Sequence, residues 1–180
     1  MDSPVVFEQT IEGLFMRGLE GRLTPTARER LKALGVDLSR RLLPAYSFAT
    51  WMAALKVAAE EVYGSHSEAE AMFKLGEQFI DGYQNTMLGR AVLGLVRVLG
   101  PKRTLMRATQ NFRSGNNYTE TKLSDLGQNA MELWMNEVGP YPSFTAGIVH
   151  AAMRASGAQG LSVETKAYDG HAATYLVRWG

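Results

Sequence analysis

The sequence predicts an α+β fold, with a helical N-terminal half packed on one face of a small antiparallel sheet of about four strands and one helix intervening between the strand pairs. Three observations lead there. Apolar residues recur at threefold and fourfold spacing up to Phe112 and at twofold spacing beyond it. Helix-start signals stand at Thr24-Pro25 and at Ser67, where Glu70 completes a capping-box spacing. Asp169-Gly170 joins two alternating segments as a tight hairpin turn does.

In chain order, Val5-Val6-Phe7 reads as a short edge strand and Ile11 to Leu19 as a short amphipathic segment. A helix begins at Thr24-Pro25, stops near Gly35 and turns Leu31 and Leu34 inward; Pro44 then interrupts the chain. From Ser47 to Tyr63, Trp51, Leu55, Ala58 and Val62 form one helical stripe, ended by Gly64. The capping-box helix runs from Ser67 to about Asn85 with Met72, Gly76, Phe79 and Tyr83 on its apolar side. Met87–Leu99 and Gly100-Pro101 to Phe112 supply two more helices. Gly115-Asn116-Asn117 is a turn signal. Tyr118–Leu123 and Asn129–Val138 then alternate as strands, the second presenting Met131, Leu133 and Met135 on one side. After Pro140 and Pro142 a helix over Ser143–Ala155 is expected, then a hairpin of Leu161–Tyr168 and Ala172–Trp179. No repeat, low-complexity tract or linker divides the chain, so residues 1–180 read as a single domain, with residues 1–45 as a loosely attached helical extension.

A chain of 180 residues, 46% hydrophobic and 21% charged, can bury a sizeable core. The net charge of +1 implies no bulk attraction to nucleic acid or membrane. The absence of cysteine excludes disulfides, thiolate metal sites and cysteine nucleophiles. No apolar run suffices for a membrane span. The acidic start MDSPVVFEQ is unlike a signal peptide, and Asp2 after Met1 is unlike a myristoylation site, so a cytoplasmic location is expected.

Leu75-Gly76-Glu77-Gln78-Phe79, Tyr83-Gln84-Asn85-Thr86, Gly89-Arg90, Leu99-Gly100-Pro101, Phe112-Arg113, Gly115-Asn116-Asn117-Tyr118 and the closing Tyr175-Leu176-Val177-Arg178-Trp179 occur in an order that resembles a paralogous family of myxobacterial proteins with no assigned activity. The likeness runs from Val5 to Trp179. The gross order of elements, with its glycine-punctuated helices, is also similar to a superfamily of vinyl-reductase-type ligand domains, haem-nitric-oxide-binding sensor domains and trafficking subunits with a lipid channel. That resemblance implies a hydrophobic pocket or a dimer surface and no particular reaction.

Candidate chemistry is sparse. His66 falls at a helix start and His171 in the hairpin turn. His150 shares a helical stripe with Gly147 and Arg154, opposite Phe144, Ile148 and Ala155, which reads as a solvated face. Neither metal-ligand spacings nor nucleophile and phosphate-loop motifs occur, so no metal, no cofactor and no catalytic residue is expected. Gly76, Gly82 and Gly89 each cost a helix about 1 kcal/mol relative to alanine. Close packing offsets that cost on one reading, and approach of a ligand or partner on the other. Glu120, Glu132, Glu164, Lys122 and Lys166 share the expected outer sheet face with Tyr118, Trp134 and Tyr168, as a solvated charged face or an aromatic recognition patch. Between Arg90 and Arg113 stand six basic residues (with Arg97, Lys102, Arg103 and Arg107) and no acid, whereas the preceding helices are acidic. The blocks pair, are solvated, or form an anion site.

Two functions fit these features. One is a non-enzymatic regulatory or sensory domain holding a small hydrophobic, amphipathic or anionic ligand between helices and sheet. Its expected walls are Trp51, Phe79, Tyr83 and Phe112, with Arg90 and Arg113 on an acidic head group. The other is a protein-interaction or homodimerisation module using Tyr118, Trp134 and Tyr168. Nucleic acid is not an expected partner.

Overall fold

A computed structural model of the chain describes residues 3–180; Met1 and Asp2, on which the myristoylation argument turns, lie outside them. The fold is α+β. Strand β1 (Val5–Phe7) leads into α1 (Glu8–Ile11) and a π-helical segment (Glu12–Gly18), then α2 (Pro25–Ala33), β2 (Ala45–Ser47), α3 (Phe48–Tyr63), α4 (Glu68–Tyr83) and α5 (Met87–Leu99). Two short helices, α6 (Pro101–Met106) and α7 (Ala108–Arg113), precede strands β3 (Thr121–Gly127) and β4 (Ala130–Met135), helix α8 (Pro142–Ala155), and strands β5 (Ser162–Tyr168) and β6 (Ala173–Arg178).

Local chemistry explains most boundaries. Thr24, Ser47 and Thr86 each accept a hydrogen bond from the backbone N–H three residues on. Ser67 and Glu70 bond reciprocally across the first turn of α4. The main sheet is antiparallel in the order β3-β4-β6-β5. Its inner face carries Met131, Leu133 and Met135 of β4 and Ala173, Tyr175 and Val177 of β6, all buried. Both edge strands are bulged, β3 at Asp125–Gly127 and β5 at Thr165–Ala167, which twists an edge away from further pairing.

Several expectations need correction. Strand β3 begins three residues later than Tyr118. The Asn116 Oδ1 accepts the N–H groups of Tyr118 and Thr119 at 3.1 and 3.0 Å, and the Asn136 side chain takes the Tyr118 carbonyl and the Glu120 N–H. Those backbone groups are satisfied by side chains and are lost to the ladder. The helix expected to run to Phe112 breaks at Arg107, whose φ of −104° and ψ of 15° leave the helical region. Leu34, expected to face inward, is exposed at the C-cap of α2. The short strand β2 has no counterpart in the apolar pattern; it pairs with β1, and Val6 also bridges to Asn116. Finally, the β5 bulge shifts the alternation by one, so Tyr168 pairs with Ala173 and falls on the side opposite Trp134.

Two apolar clusters meet at α8. Phe144, Ile148 and Ala151 belong to the helical one, with Trp51, Leu75 and Phe79; Ala146, Val149 and Met153 belong to the sheet one, with Leu133 and Tyr175. Ile11, Leu14, Phe15, Leu31 and Val36, near the start of the chain, also belong to that helical cluster and are fully or almost fully buried.

Glycine governs how α4 packs. A Cβ on Gly76 would fall 2.1 Å from the Phe144 carbonyl oxygen, and one on Gly147 would fall 2.0 Å from that of Phe73. On the far side, a Cβ on Gly82 would lie 2.0 Å from the Gly13 carbonyl oxygen and 2.3 Å from the Gly18 nitrogen. Residues five apart stack in a π-helix, which brings both Gly13 and Gly18 onto α4. Gly76→Ala and Gly147→Ala are therefore expected to lower unfolding free energy by at least about 1–3 kcal/mol in urea titrations. Gly94→Ala on α5, where an added Cβ meets nothing, should instead stabilise by about 0.5–1 kcal/mol.

Candidate functional site

A cavity of about 110 Å³ lies where the two apolar clusters meet. Its helical wall is aromatic. Trp51 packs edge-on against Phe144 at 5.7 Å between ring centroids and against Phe79 at 6.3 Å, while Phe79 lies 5.3 Å from Tyr83. Leu93 and Val96 of α5, with Leu105, Ala108 and Phe112 of α6 and α7, form a second wall. Leu133 and Met135 of the sheet, with Ile148 and Val149 of α8, form the third. Protein interiors are normally close-packed, so a void of this size among interior side chains is a departure from the rest of the core.

Most polar groups in the lining are bonded within the protein. Thr10 Oγ1 donates to the Gly115 carbonyl at 2.7 Å, Ser114 Oγ to the Asn111 carbonyl at 2.6 Å, and the Tyr83 hydroxyl meets Ser114 Oγ at 3.0 Å. Asn116 is held by the turn it caps. Tyr118 and Thr119 differ: the Tyr118 ring packs edge-on against Phe48 at 5.1 Å, and among the described residues neither side-chain hydroxyl has a hydrogen-bond partner. Among those residues Glu137 is the one charged side chain in the lining, and its Oε1 accepts from the Gly139 N–H at 2.9 Å.

Of the residues singled out from sequence, Trp51, Phe79, Tyr83 and Phe112 all line this cavity. Arg90 and Arg113 do not. Arg90 is exposed on α5; the Arg113 Nε donates to the Thr119 carbonyl at 2.9 Å, and its guanidinium lies 3.9 Å from Glu120. The structure does not bring Tyr118, Trp134 and Tyr168 together. Tyr118 precedes β3 and lines the cavity, Trp134 lies on the outer sheet face beneath Lys122 at 4.8 Å, and the Tyr168 hydroxyl donates to the Gly139 and Gly170 carbonyls. Apart from Phe112, the wall that α5 to α7 supply is missed by sequence reading. Its only signal is the inward spacing of Leu93 and Val96, which any packed helix shares.

The histidines lie elsewhere. His66 and His171 are exposed and line no part of the cavity, although His171 Nδ1 lies 3.5 Å from Oε2 of the lining residue Glu137. His150, expected on a solvated stripe, instead faces α4, with Nδ1 2.8 Å from Glu77 Oε1 and its ring 5.4 Å from that of Phe73. Arg154 donates to the same Glu77 oxygen at 3.0 Å and approaches Asp81 at 3.6 Å. Of the acidic residues of α4, Glu77 and Asp81 are thus partnered by α8 and not by the basic block. Among the described residues no three histidine and carboxylate side chains cluster as a metal site would need, and no helix is long and apolar enough to cross a membrane.

The profile described as "Protein of unknown function (DUF2378)" matches residues 4–180. The chain belongs to this family. No curated protein matches it in sequence. Solved structures do match in fold. An oxygen-binding H-NOX domain related to soluble guanylate cyclases is 16% identical, with a TM-score of 0.64 over 95% of this chain and 91% of that one. The Fe(II) unliganded H-NOX protein from K. algicida is 11% identical, with a TM-score of 0.65 over 96% and 95%. A mutant H-NOX from T. tengcongensis is 16% identical, with a TM-score of 0.58 over 94% and 93%. At such identities the likeness establishes the DUF2378 chain's fold and nothing finer.

Burial pushes the phenols of Tyr118 and Tyr175 well above the usual tyrosine value, and the Glu137 carboxylate adds to the rise at Tyr118. In the unfolded chain these groups lose their protons near pH 10. Above that pH the folded chain binds more protons than the unfolded one, so stability falls as pH rises. Ultraviolet difference absorbance should show Tyr118 and Tyr175 ionising only as the protein unfolds, and Tyr118→Phe should flatten the alkaline decline in stability.

Proposed function

We propose that this DUF2378 chain is a non-enzymatic sensory domain that takes a small, neutral, largely apolar molecule into the cavity between its helices and its sheet. The observation that carries this reading is the cavity lining, which is predominantly aromatic and aliphatic and, among the described residues, offers the Tyr118 hydroxyl without a partner. Ligand sites commonly combine an apolar wall with few, placed polar groups. An apolar void of about 150 Å³ holds benzene or xenon, so 110 Å³ suits a molecule of similar or smaller size. Glu137 disfavours an anionic ligand, since a second negative charge in the same cavity would be repelled.

The fold neighbours include an oxygen-binding H-NOX domain and an Fe(II) H-NOX protein, and another neighbouring structure concerns the modulation of haem redox potential through protein-induced porphyrin distortion. The residues of this cavity do not fit a haem. Among the described residues the lining contains no histidine to hold iron and no arginine or lysine to pair with propionates, and the space is well below the roughly 300–1,000 Å³ of typical cofactor pockets. We therefore read the shared fold as a sensor scaffold whose lining has been adapted to a different, metal-free ligand.

Titration with haemin should yield no absorbance band of a histidine-ligated haem, whereas benzene, xenon or 1-butanol should raise the melting temperature. Ala108→Leu, which fills the cavity, should abolish those shifts while itself stabilising by about 0.5–2 kcal/mol. Tyr118→Phe should weaken 1-butanol by about 0.5–1.5 kcal/mol and leave benzene unchanged. Stoichiometric haem uptake, or benzene shifts that survive Ala108→Leu, would refute this reading.

A further inference from the structure

Helix α5 is apolar on two sides. Leu93 and Val96 point into the protein and line the cavity. On the opposite side, Met87 and Val98 are 77% and 84% exposed, Leu95 is exposed beside them, and at Gly94, between them, an added Cβ would meet nothing. Helical spacing places Met87, Ala91, Gly94 and Val98 on one outward stripe, with Arg90 and Arg97, seven apart, along a single flank. Beyond the bend at Gly100, α6 continues the same character with exposed Met106 next to Lys102, Arg103 and Arg107. Lys102 is paired with Asp125, and Arg97 donates to the neutral Gln84 amide. Among the described residues Arg90, Arg103 and Arg107 form no ion pair.

We propose that this face of α5 and α6 docks on an anionic lipid bilayer. Exposed aliphatic side chains edged by long cations are the composition of an interfacial helix. The apolar groups enter the headgroup boundary, and the arginine stems lie along it with their charges in the phosphate layer. The net charge of +1 conceals this asymmetry, because Glu77 and Asp81 of α4 are engaged by His150 and Arg154 of α8. A second copy of the chain suits the face poorly. A twofold contact would set the cationic stripe against itself, with no acid between Arg90 and Arg113 to relieve the repulsion. The face also lacks the exposed aromatic anchors on which protein interfaces concentrate their binding energy. The inference is independent of what fills the cavity.

The test is co-sedimentation of the full chain with vesicles of pure phosphatidylcholine and of an equal mixture of phosphatidylcholine and phosphatidylglycerol. The chain should sediment with the mixed vesicles, stay in solution with the neutral ones, and be released by high salt. Val98→Asp, and separately Arg90→Glu with Arg97→Glu, should each reduce the partition coefficient on the order of tenfold. Both changes are at exposed positions, so melting temperatures should hold. Absence of binding to mixed vesicles would overturn the proposal, as would binding that both variants retain. Binding to soluble polyglutamate but not to vesicles would also overturn it, assigning the face to an acidic protein.

Discussion

The close approach of α4 to its neighbours is the contact on which the rest of the molecule depends. Backbone touches backbone at Gly76 and Gly147 on one side and at Gly82, Gly13 and Gly18 on the other. Three helical segments are thereby fixed at distances that no larger residue permits. The glycines weaken their own helices by about 1 kcal/mol each, and the dispersion contacts and apolar burial gained across two interfaces offset that cost. The Glu77 contacts with His150 and Arg154 run alongside the Gly76–Gly147 contact. Partly exposed pairs of this kind add little stability, roughly 0–1 kcal/mol, and they set register more than they hold the helices together.

Once α8 is seated on α4, the position of the sheet follows. Helix α8 presents Ala146, Val149 and Met153 to the sheet and Phe144 and Ile148 to the helices, and so divides the interior in two. The turn at Gly115–Asn117 closes the other end, where β1 is bound to it through Phe7 N–H to the Gly115 carbonyl at 2.9 Å and Val5 N–H to Asn117 Oδ1 at 2.8 Å. The cavity is the space left between a rigid septum, an aromatic cluster and a sheet whose inner residues are already packed. The fold around it is similar to that of H-NOX domains.

Helix α5 connects the cavity to the proposed membrane face. The same helix lines the cavity with one stripe and offers another to the outside, so a shift of α5 on ligand entry would move the exposed face as well. A small scaffold has few ways to report an internal event at its surface, and a helix apolar on both sides is one of them.

The fold class and nearly every helix are legible in the chain alone, because capping residues and apolar periodicity act locally: the Ser67–Glu70 box, Thr24-Pro25 and the Asp169-Gly170 turn each need only their neighbours. Periodicity also puts Trp51, Phe79, Tyr83 and Phe112 on inward faces, where they line the cavity. Long-range packing settles what periodicity leaves open. A repeat of apolar positions states that a side chain is buried but not what it is buried against, and a polar stripe such as that of His150 reads as solvated although α4 covers it. Alternation assumes an unbroken ladder, so the Asn116 cap and the β5 bulge move Tyr118 and Tyr168 away from Trp134. Whether a buried face meets packed atoms or empty space depends on the relative placement of elements distant in the chain, and only the assembled fold sets that distance.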